Sequence, residues 1–499
     1  MSVRVQPRPS YEDLAALVGL QAQQIGELEK LTVAVEQLRV ENERLRVENA
    51  EFRAENAEFR RRLGMDSSNS SRPPSSDSPY DKPAPKASGM RGRSGRKPGK
   101  QRGTPGTTRR QVTVPDETVP VEPGACTGCG AGLAGAPVFG MHKRQVFEAA
   151  PPPPPRVVEY QVFSRTCPCC GVVSVGRAPV GVTGRVQWGP GVHARAVLAT
   201  VAHHLPYGRA SRVLAQLSGL SVSTGFLVAA RRRAVARLEP FMVRVRALLR
   251  DAGLVHVDET PARAAGGLEY VHVACNERYT AMHTGGRTKT DIDAGEVLVG
   301  FTGVLVRDGY AGYAHLVDAV HAWCGAHLLR DLKAVYDVDP DGQWGAQAMA
   351  TTLTTALRET VAARAGGAQA LDAGQVRSLR SAYAGALARM RTDNQAASTP
   401  LQQRGATLAD RFDTHRDMIL RFVVDLSVPF TNNAAEREVR PVKVKQRSGG
   451  CWRTLEGLAD FAVIHSYLST AAKHGIDALD ALTQLFTNGS WLPPDLAPT

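Results

Sequence analysis

Between residues 14 and 63 apolar positions recur every seven residues, a spacing that predicts one long helix built to meet a partner. Position a falls on Leu28, Val35, Asn42, Asn49, Asn56 and Leu63, and position d on Leu31, Leu38, Leu45, Phe52 and Phe59. Asn at a in three successive heptads weakens the seam but fixes its register and favours two parallel strands. Glu41, Glu48 and Glu55 at g precede Arg46, Arg53 and Arg60 at e by five residues. That offset sets g of one parallel helix against e of the other. An amphipathic helix packed on its own domain is the alternative, and polar residues at core sites weigh against it.

The period then changes twice. Between 192 and 238 it is helical: 206–217 reads as a helix, 218–222 as a turn, and 223–236 as a second helix capped by Ser223. From 253 onward short apolar runs at 254–258, 269–274, 279–283, 304–308 and 319–323 predict five strands, parted by turn residues such as Gly266, Gly267 and Asn276. A helix follows from 326 to about 335, and 340–425 reads as a helical insertion. Three strands, a crossover and another strand is the order of an RNase H-like mixed sheet, which sets the ends of the first and fourth strands side by side.

Charge changes the picture of what lies between. At 499 residues the chain is too long for a single ordinary core. Of its net charge of +13, residues 82–115 supply ten Lys or Arg and no acid. The segment 67–79 (SSNSSRPPSSDSP) has no apolar residues from which to build a core. Arg91, Arg93, Arg96, Lys97, Lys100 and Arg102 follow in a Gly-punctuated tract suited to DNA phosphates or a minor groove. A solubilising linker is the alternative. Arg231, Arg232 and Arg233, near the end of the second helix, are further candidate DNA contacts, although a packed helical hairpin has the same spacing. The sequence carries no long uninterrupted apolar run and no signal-peptide pattern, so the expectation is a soluble cytoplasmic protein associated with the nucleoid.

Eight cysteines in so long a chain do not make a disulfide scaffold, so their spacing matters more than their number. Cys126-x-x-Cys129 and Cys167-x-x-Cys170 are each followed by Gly, and four thiolates so paired suit structural Zn2+. Cys169 is left spare. The 37 residues between the knuckles contain 141–147 and 157–163, expected as strands of a zinc ribbon. Paired reactive thiols are the other reading.

Three acids carry the candidate chemistry. Asp258 and Asp308 end apolar strands, and Glu436 precedes a basic run of Arg437, Arg440, Lys443, Lys445, Arg447 and Arg453. Ionised carboxylates at buried strand ends need positive charge, and two Mg2+ (or Mn2+) ions shared among three acids can drive in-line attack at a phosphodiester. The basic run could hold phosphates beside them. Asn433-x-x-Glu436 is also a capping-box spacing, and Glu436 could pair with Arg440 one turn on. Glu259 is expected on the opposite face from Asp258, Asp425 and Glu438 are weaker third acids, and Cys324 with His327 makes only two metal ligands.

Taken together, these segments resemble the DDE transposases of the insertion-sequence 66 family. The resemblance rests on the zipper, the 67–77 segment, Arg96-Lys-Pro-Gly99, the two knuckles and His204-Leu-Pro-Tyr207. It also rests on Val257-Asp258-Glu-Thr260, Asp308-Gly-Tyr310, Cys324-Gly-Ala-His327 and the stretch from Val428 through Asn432-Asn433-Ala-Ala-Glu436-Arg437 to Arg440. Thr431 departs from a frequent Asp, and Cys169 makes the second knuckle CPCC. The resemblance implies that Asp258, Asp308 and Glu436 bind the catalytic metals. It implies cleavage of transposon-end DNA, strand transfer into target DNA, a homodimer and small accessory proteins as possible partners. A silent DNA-binding derivative and another RNase H-like nuclease are the competing readings.

The expected fold is therefore α/β and multidomain. A coiled-coil helix covers 11–64, a disordered basic linker 65–115, a small zinc-binding domain 116–185 and a helix-turn-helix-like region 186–250. An RNase H-like mixed sheet takes 251–338 and 427–499, interrupted by a helical insertion over 339–426.

Overall fold

The computed structural model describes residues 11–63 and 109–495 and, in the first helix, only part of the side chains. Arg91, Arg93, Arg96, Lys97, Lys100 and Arg102 lie outside the described residues, as do the 67–77 segment and the side chains of Leu28, Leu31, Asn56, Phe59, Arg60 and Leu63. The chain divides into two compact units, one comprising Met1–Ser78, Gly184–Ala210 and Ser223–Thr499, the other Pro79–Thr183 and Ser211–Val222.

In the first unit, α1 (Tyr11–Leu63) is one uninterrupted helix. Leu38, Leu45 and Phe52 at position d are 64%, 46% and 55% exposed, which leaves an apolar seam open along a single chain.

In the second unit two short loops are closed by the knuckles. β1 (Ser164–Thr166) pairs antiparallel with β2 (Val173–Val175) around the second knuckle, and a bridge between Ala125 and Gly132 encloses the first. The strands therefore sit against the knuckle itself, not at 141–147 or 157–163, where no strand forms. The apolar residues of those two segments are largely exposed, so their alternation has no buried face to fix a ladder.

After α2 (Pro190–Val197) come α3 (Tyr207–Ser218) and α4 (Thr224–Ala236), within a residue or so of the spacing-based positions. Ser223 caps α4 by accepting from the Phe226 amide at 3.1 Å. Gly219 takes φ +67 in the turn, and the Ser211 hydroxyl donates to Val222 O at 2.6 Å.

α5 (Glu239–Arg250) leads into the sheet: β3 (Leu254–Ala264), β4 (Gly267–Cys275), β5 (Thr280–Gly285), then α6 (Lys289–Asp293), β6 (Val304–Arg307) and β7 (Val320–Trp323). The spatial order is β5-β4-β3-β6-β7, with β3, β4 and β5 antiparallel and β6 and β7 parallel to β3. β3 is central, and Val255 and Val257 on it are buried, as are Leu305 and Val306 on β6.

The helices complete two layers. α7 (Gly325–Tyr336), α8 (Trp344–Ala365), α9 (Ala373–Asp393) and α10 (Pro400–Thr414), with the short α11 (Arg416–Ile419) and α12 (Arg421–Val424), share one apolar core with Val306, Ala322 and Trp323 of the sheet. α8 and α9 approach so closely that a Cβ on Gly345 would lie 2.3 Å from the Met390 amide nitrogen. α13 (Asn433–Gly449) packs on β3 and β4, while α14 (Leu455–Lys473) packs on β5 and α15 (Ala478–Asn488) on α2. β5 is an edge strand, and α14 covers its donors: Ser466 Oγ accepts from the Met282 amide at 2.8 Å and Thr470 Oγ1 from the Thr280 amide at 3.0 Å.

Candidate active site

The register of β3 and β6 brings two of the acids together. Leu254, Val255 and His256 pair with Val304, Leu305 and Val306, and the same offset carried two places further sets Asp258 opposite Asp308. Asp258 Oδ1 accepts the Glu259 amide at 2.9 Å, and Asp308 Oδ1 accepts the Tyr310 amide at 2.9 Å. Burial pushes the Asp258 carboxyl well above the ordinary carboxylate range, and the nearby charges of Glu259, Asp308 and Glu436 push it further. A buried carboxylate repelled from three sides is stabilised by a cation. The donor set fits hard divalent ions, which take carboxylate oxygens.

Glu436 lies in the first turn of α13, and Asn432 fixes where that turn starts. Asn432 is 1% exposed. Its Oδ1 meets His256 Nδ1 at 2.9 Å, its Nδ2 donates to Val257 O at 2.7 Å, and its backbone amide donates to Cys324 Sγ at 3.2 Å. One amide side chain thus joins the helix start to the backbone immediately before Asp258. The capping box suggested by Asn433 and Glu436 is not formed, because the helix begins one residue earlier and its cap residue spends its side chain on β3. Glu436 Oε1 instead faces His327 Nδ1 at 3.8 Å and Arg330 at 3.9 Å. Glu438 is drawn to another face of the helix, where Lys473 at 3.0 Å, Ser469 at 2.7 Å and His465 at 3.7 Å surround it. Asp425 accepts from Ser427 in a local turn. Neither stands in for Glu436.

Behind the aspartates lies a second polar layer with only faint signals in the sequence. The Glu259 side chain is buried and is met by Arg287 and by the Tyr313 hydroxyl at 2.8 Å. Burial and the Asp308 charge raise its carboxyl, against the lowering effect of Arg287 and Tyr313. The Arg287 guanidinium stacks 3.8 Å from the Tyr310 ring centroid, and the Tyr310 hydroxyl donates back to Arg287 O at 2.6 Å. Arg307 is buried beside Asp308, donates to His321 Nδ1 at 2.8 Å and reaches Asp308 O and Tyr310 O at 2.9 and 3.0 Å. Asn432, Arg287 and Tyr313 act over separations of 175, 28 and 54 residues. The Arg-Asp-Gly-Tyr run held the one local hint, its arginine next to the acid.

The basic residues differ in exposure. Arg437, Arg440 and Arg447 are exposed along one face of α13, with Arg453 exposed just beyond. Lys443 is half-buried and donates to Pro261 O at 2.7 Å, and Lys445 donates to Gly449 O at 3.3 Å and lies 5.7 Å from the Trp452 ring centroid. Arg231 does not reach outward as expected: it is buried, paired with Asp460 at 2.8 Å and hydrogen-bonded to the Tyr207 hydroxyl at 2.5 Å. Its place on the inner side of α4 explains the difference. Arg232 is exposed but held by Glu456 through two bonds of 2.8 and 2.7 Å, while Arg233 is exposed.

The two knuckles have the same backbone. Gly130 and Gly171 take φ +77 and +74 and donate to the carbonyls of Cys126 and Cys167, each at 2.9 Å. Backbone amides of the turn lower the Cys126 and Cys167 thiols, from Cys129 and Gly128 in the first knuckle and from Cys170 and Cys169 in the second. Among the described residues, the three donor atoms that come within 4.8 Å of one another belong to Cys324, His327 and Glu436, so neither the four knuckle thiols nor Asp258, Asp308 and Glu436 are gathered in that way.

Comparison with known proteins gives two family matches. A model described as the transposase IS66 family matches residues 185–460, more than half of the 499-residue chain. One described as a family of unknown function (DUF6444) matches residues 21–110. Over 203 residues the chain is 26% identical to the uncharacterized protein y4qI of Sinorhizobium fredii (strain NBRC 101917 / NGR234), covering 38% of this chain and 36% of that protein. The match thus spans little more than a third of that relative's length.

Proposed function

The chain belongs to the IS66 family of transposases, and from that premise we propose that it cleaves DNA at transposon ends and joins the freed ends to target DNA. The observations that support this reading are that Asp258 and Asp308 end neighbouring parallel strands, and that the charges of Asp308 and Glu436 add to burial in raising the Asp258 carboxyl. The mixed sheet with Asp258 on its central strand supports an RNase H-like catalytic domain.

Asp258, Asp308 and Glu436 would hold Mg2+ or Mn2+. Divalent ions bound there supply activation of water and stabilisation of a leaving 3′-oxygen. The residues of the chain do the rest. Asn432 holds the start of α13, and with it Glu436, against β3. Arg307 and the Glu259–Arg287–Tyr313 group make the wall behind Asp308 rigid. Arg437, Arg440, Arg447 and Arg453 bind phosphates along the exposed face of α13 and keep the scissile linkage in place. Water attack frees a 3′-hydroxyl at the transposon end. That hydroxyl then attacks a target phosphorus and expels a target 3′-oxygen, so one phosphodiester forms as another breaks.

The open seam of α1 supports a parallel homodimer, and the matched knuckle turns support Zn2+ at Cys126, Cys129, Cys167 and Cys170. No helix among the described residues is long and apolar enough to cross a membrane, which agrees with a DNA-acting protein of the cytoplasm. A strand-transfer assay with candidate ends and Mg2+ tests the reading. Metal-dependent nicking and joining are expected, abolished by Asp258→Asn and by Glu436→Gln. Full activity of Glu436→Gln would remove the third acid from the assignment.

A further inference from the structure

Glu436 is a member of the proposed acid triad and also of a second donor group. On one side are Asp258 and Asp308, whose chemistry is all oxygen. On the other are Cys324 and His327, three residues apart at the start of α7. One donor atom from each of Cys324, His327 and Glu436 lies within 4.8 Å of the others. His327 Nδ1 and Glu436 Oε1 are both buried with no hydrogen-bond partner, and they face each other at 3.8 Å. Cys324 is 1% exposed, and its sulfur already accepts the Asn432 amide at 3.2 Å, the kind of outer contact that steadies a ligating thiolate. Two unsatisfied buried atoms aimed at each other beside a sulfur lack only an ion.

We propose that Cys324, His327 and Glu436 bind a borderline-soft divalent transition metal, with Zn2+ as the type ion, and that such an ion holds Glu436 away from Asp258 and Asp308. Sulfur, imidazole and carboxylate with a fourth position open is a zinc-type donor set, and Mg2+ discriminates against the sulfur. Arg330, 3.9 Å from Glu436, opposes any cation there, so Arg330→Gln tightens the site. The second half of the proposal rests on the transposase reading, because Zn2+ then inhibits by capturing the third acid. The first half does not.

Two measurements on the full-length protein separate these halves. Equilibrium dialysis against Co2+ alone, followed by its thiolate charge-transfer absorption, reports binding without DNA. The unaltered protein is expected to hold one more Co2+ per chain than Cys324→Ser or His327→Asn at the same free Co2+, whatever the knuckle thiols bind. Serine keeps an acceptor for the Asn432 amide, so loss of the band in a variant with unchanged thermal unfolding reports the ligand and not the fold. Identical Co2+ binding in all three proteins overturns the site. Zn2+ titration of Mg2+-supported nicking is the second measurement, with each protein normalised to its own activity. The half-inhibitory Zn2+ concentration is expected to rise at least about tenfold in Cys324→Ser and in His327→Asn. Equal Zn2+ sensitivity overturns the capture of Glu436. Absence of nicking in every protein, with the Co2+ difference intact, counts against the transposase reading and leaves the metal site standing.

Discussion

Asn432 carries more of the site than any residue that touches DNA in the proposed reaction. Replacing it with Ala leaves His256 Nδ1 and Val257 O buried without their partner. The expected cost is about 2–4 kcal/mol in urea unfolding, together with a loss of nicking larger than that of Arg437→Ala. A fully active, equally stable Asn432→Ala would mean that α13 is held elsewhere. Two acids nearby have opposite linkage to pH. Asp258 has its folded pKa raised, so its contribution is present below the unfolded carboxylate pKa of about 4 and is lost as pH rises toward the raised value. Without divalent ions, Asp258→Asn should therefore melt higher than the unaltered protein near pH 7, with the gap closing toward pH 4. A gap independent of pH would refute the repulsion. Glu438 is lowered from 4.5 to about 2, chiefly by His465 and Lys473 working against its burial. Its contribution is present above pH 4.5 and fades as pH falls through 2. Glu438→Gln should cost about 3 kcal/mol at neutral pH, and this difference should shrink in acid.

At the scale of elements, residues 254–258 and 304–308 were legible as strands because each is a compact apolar run that ends in a charge. Asp258 and Asp308 could then be set together by sheet order alone, before any side chain was placed. The length of β3 was not legible, since its second half from Glu259 onward looks polar and is buried only because α13 and β4 cover it. The stretches 141–147 and 157–163 mislead for the converse reason: they alternate correctly but find no partner face. Asn433-x-x-Glu436 imitates a cap because capping is local, whereas the bond that Asn432 makes spans 175 residues. Arg231 likewise shows no local sign of its Asp460 partner, 229 residues away. The helical insertion offers a sharper test. A methyl group on Gly345 meets backbone at Met390, which cannot swing aside, so Gly345→Ala should cost about 1–3 kcal/mol while leaving Co2+ binding at Cys324 unchanged. A neutral substitution there would show that α8 and α9 can move apart freely.

Over the whole molecule, the proposed dimer seam and the proposed chemistry belong to separate stretches of chain. In the proposed dimer, Asn42, Asn49 and Asn56 would specify two strands at a cost in seam stability. Replacing all three with Leu should raise the melting temperature of α1 and give mixed oligomers in sedimentation equilibrium, where a pure dimer would remove their assigned role. The order of the three acids along the chain has a consequence in time. Asp258 and Glu436 are 178 residues apart, with the whole insertion between them. At synthesis rates of roughly 5–20 residues per second, about 9–36 s pass between the emergence of the first acid and the last. Throughout that interval the nascent chain exposes its zipper and knuckles but has no complete set of acids. If the proposed dimer and the proposed cleavage both hold, a ribosome-bound intermediate can find a partner before it is able to cut anything.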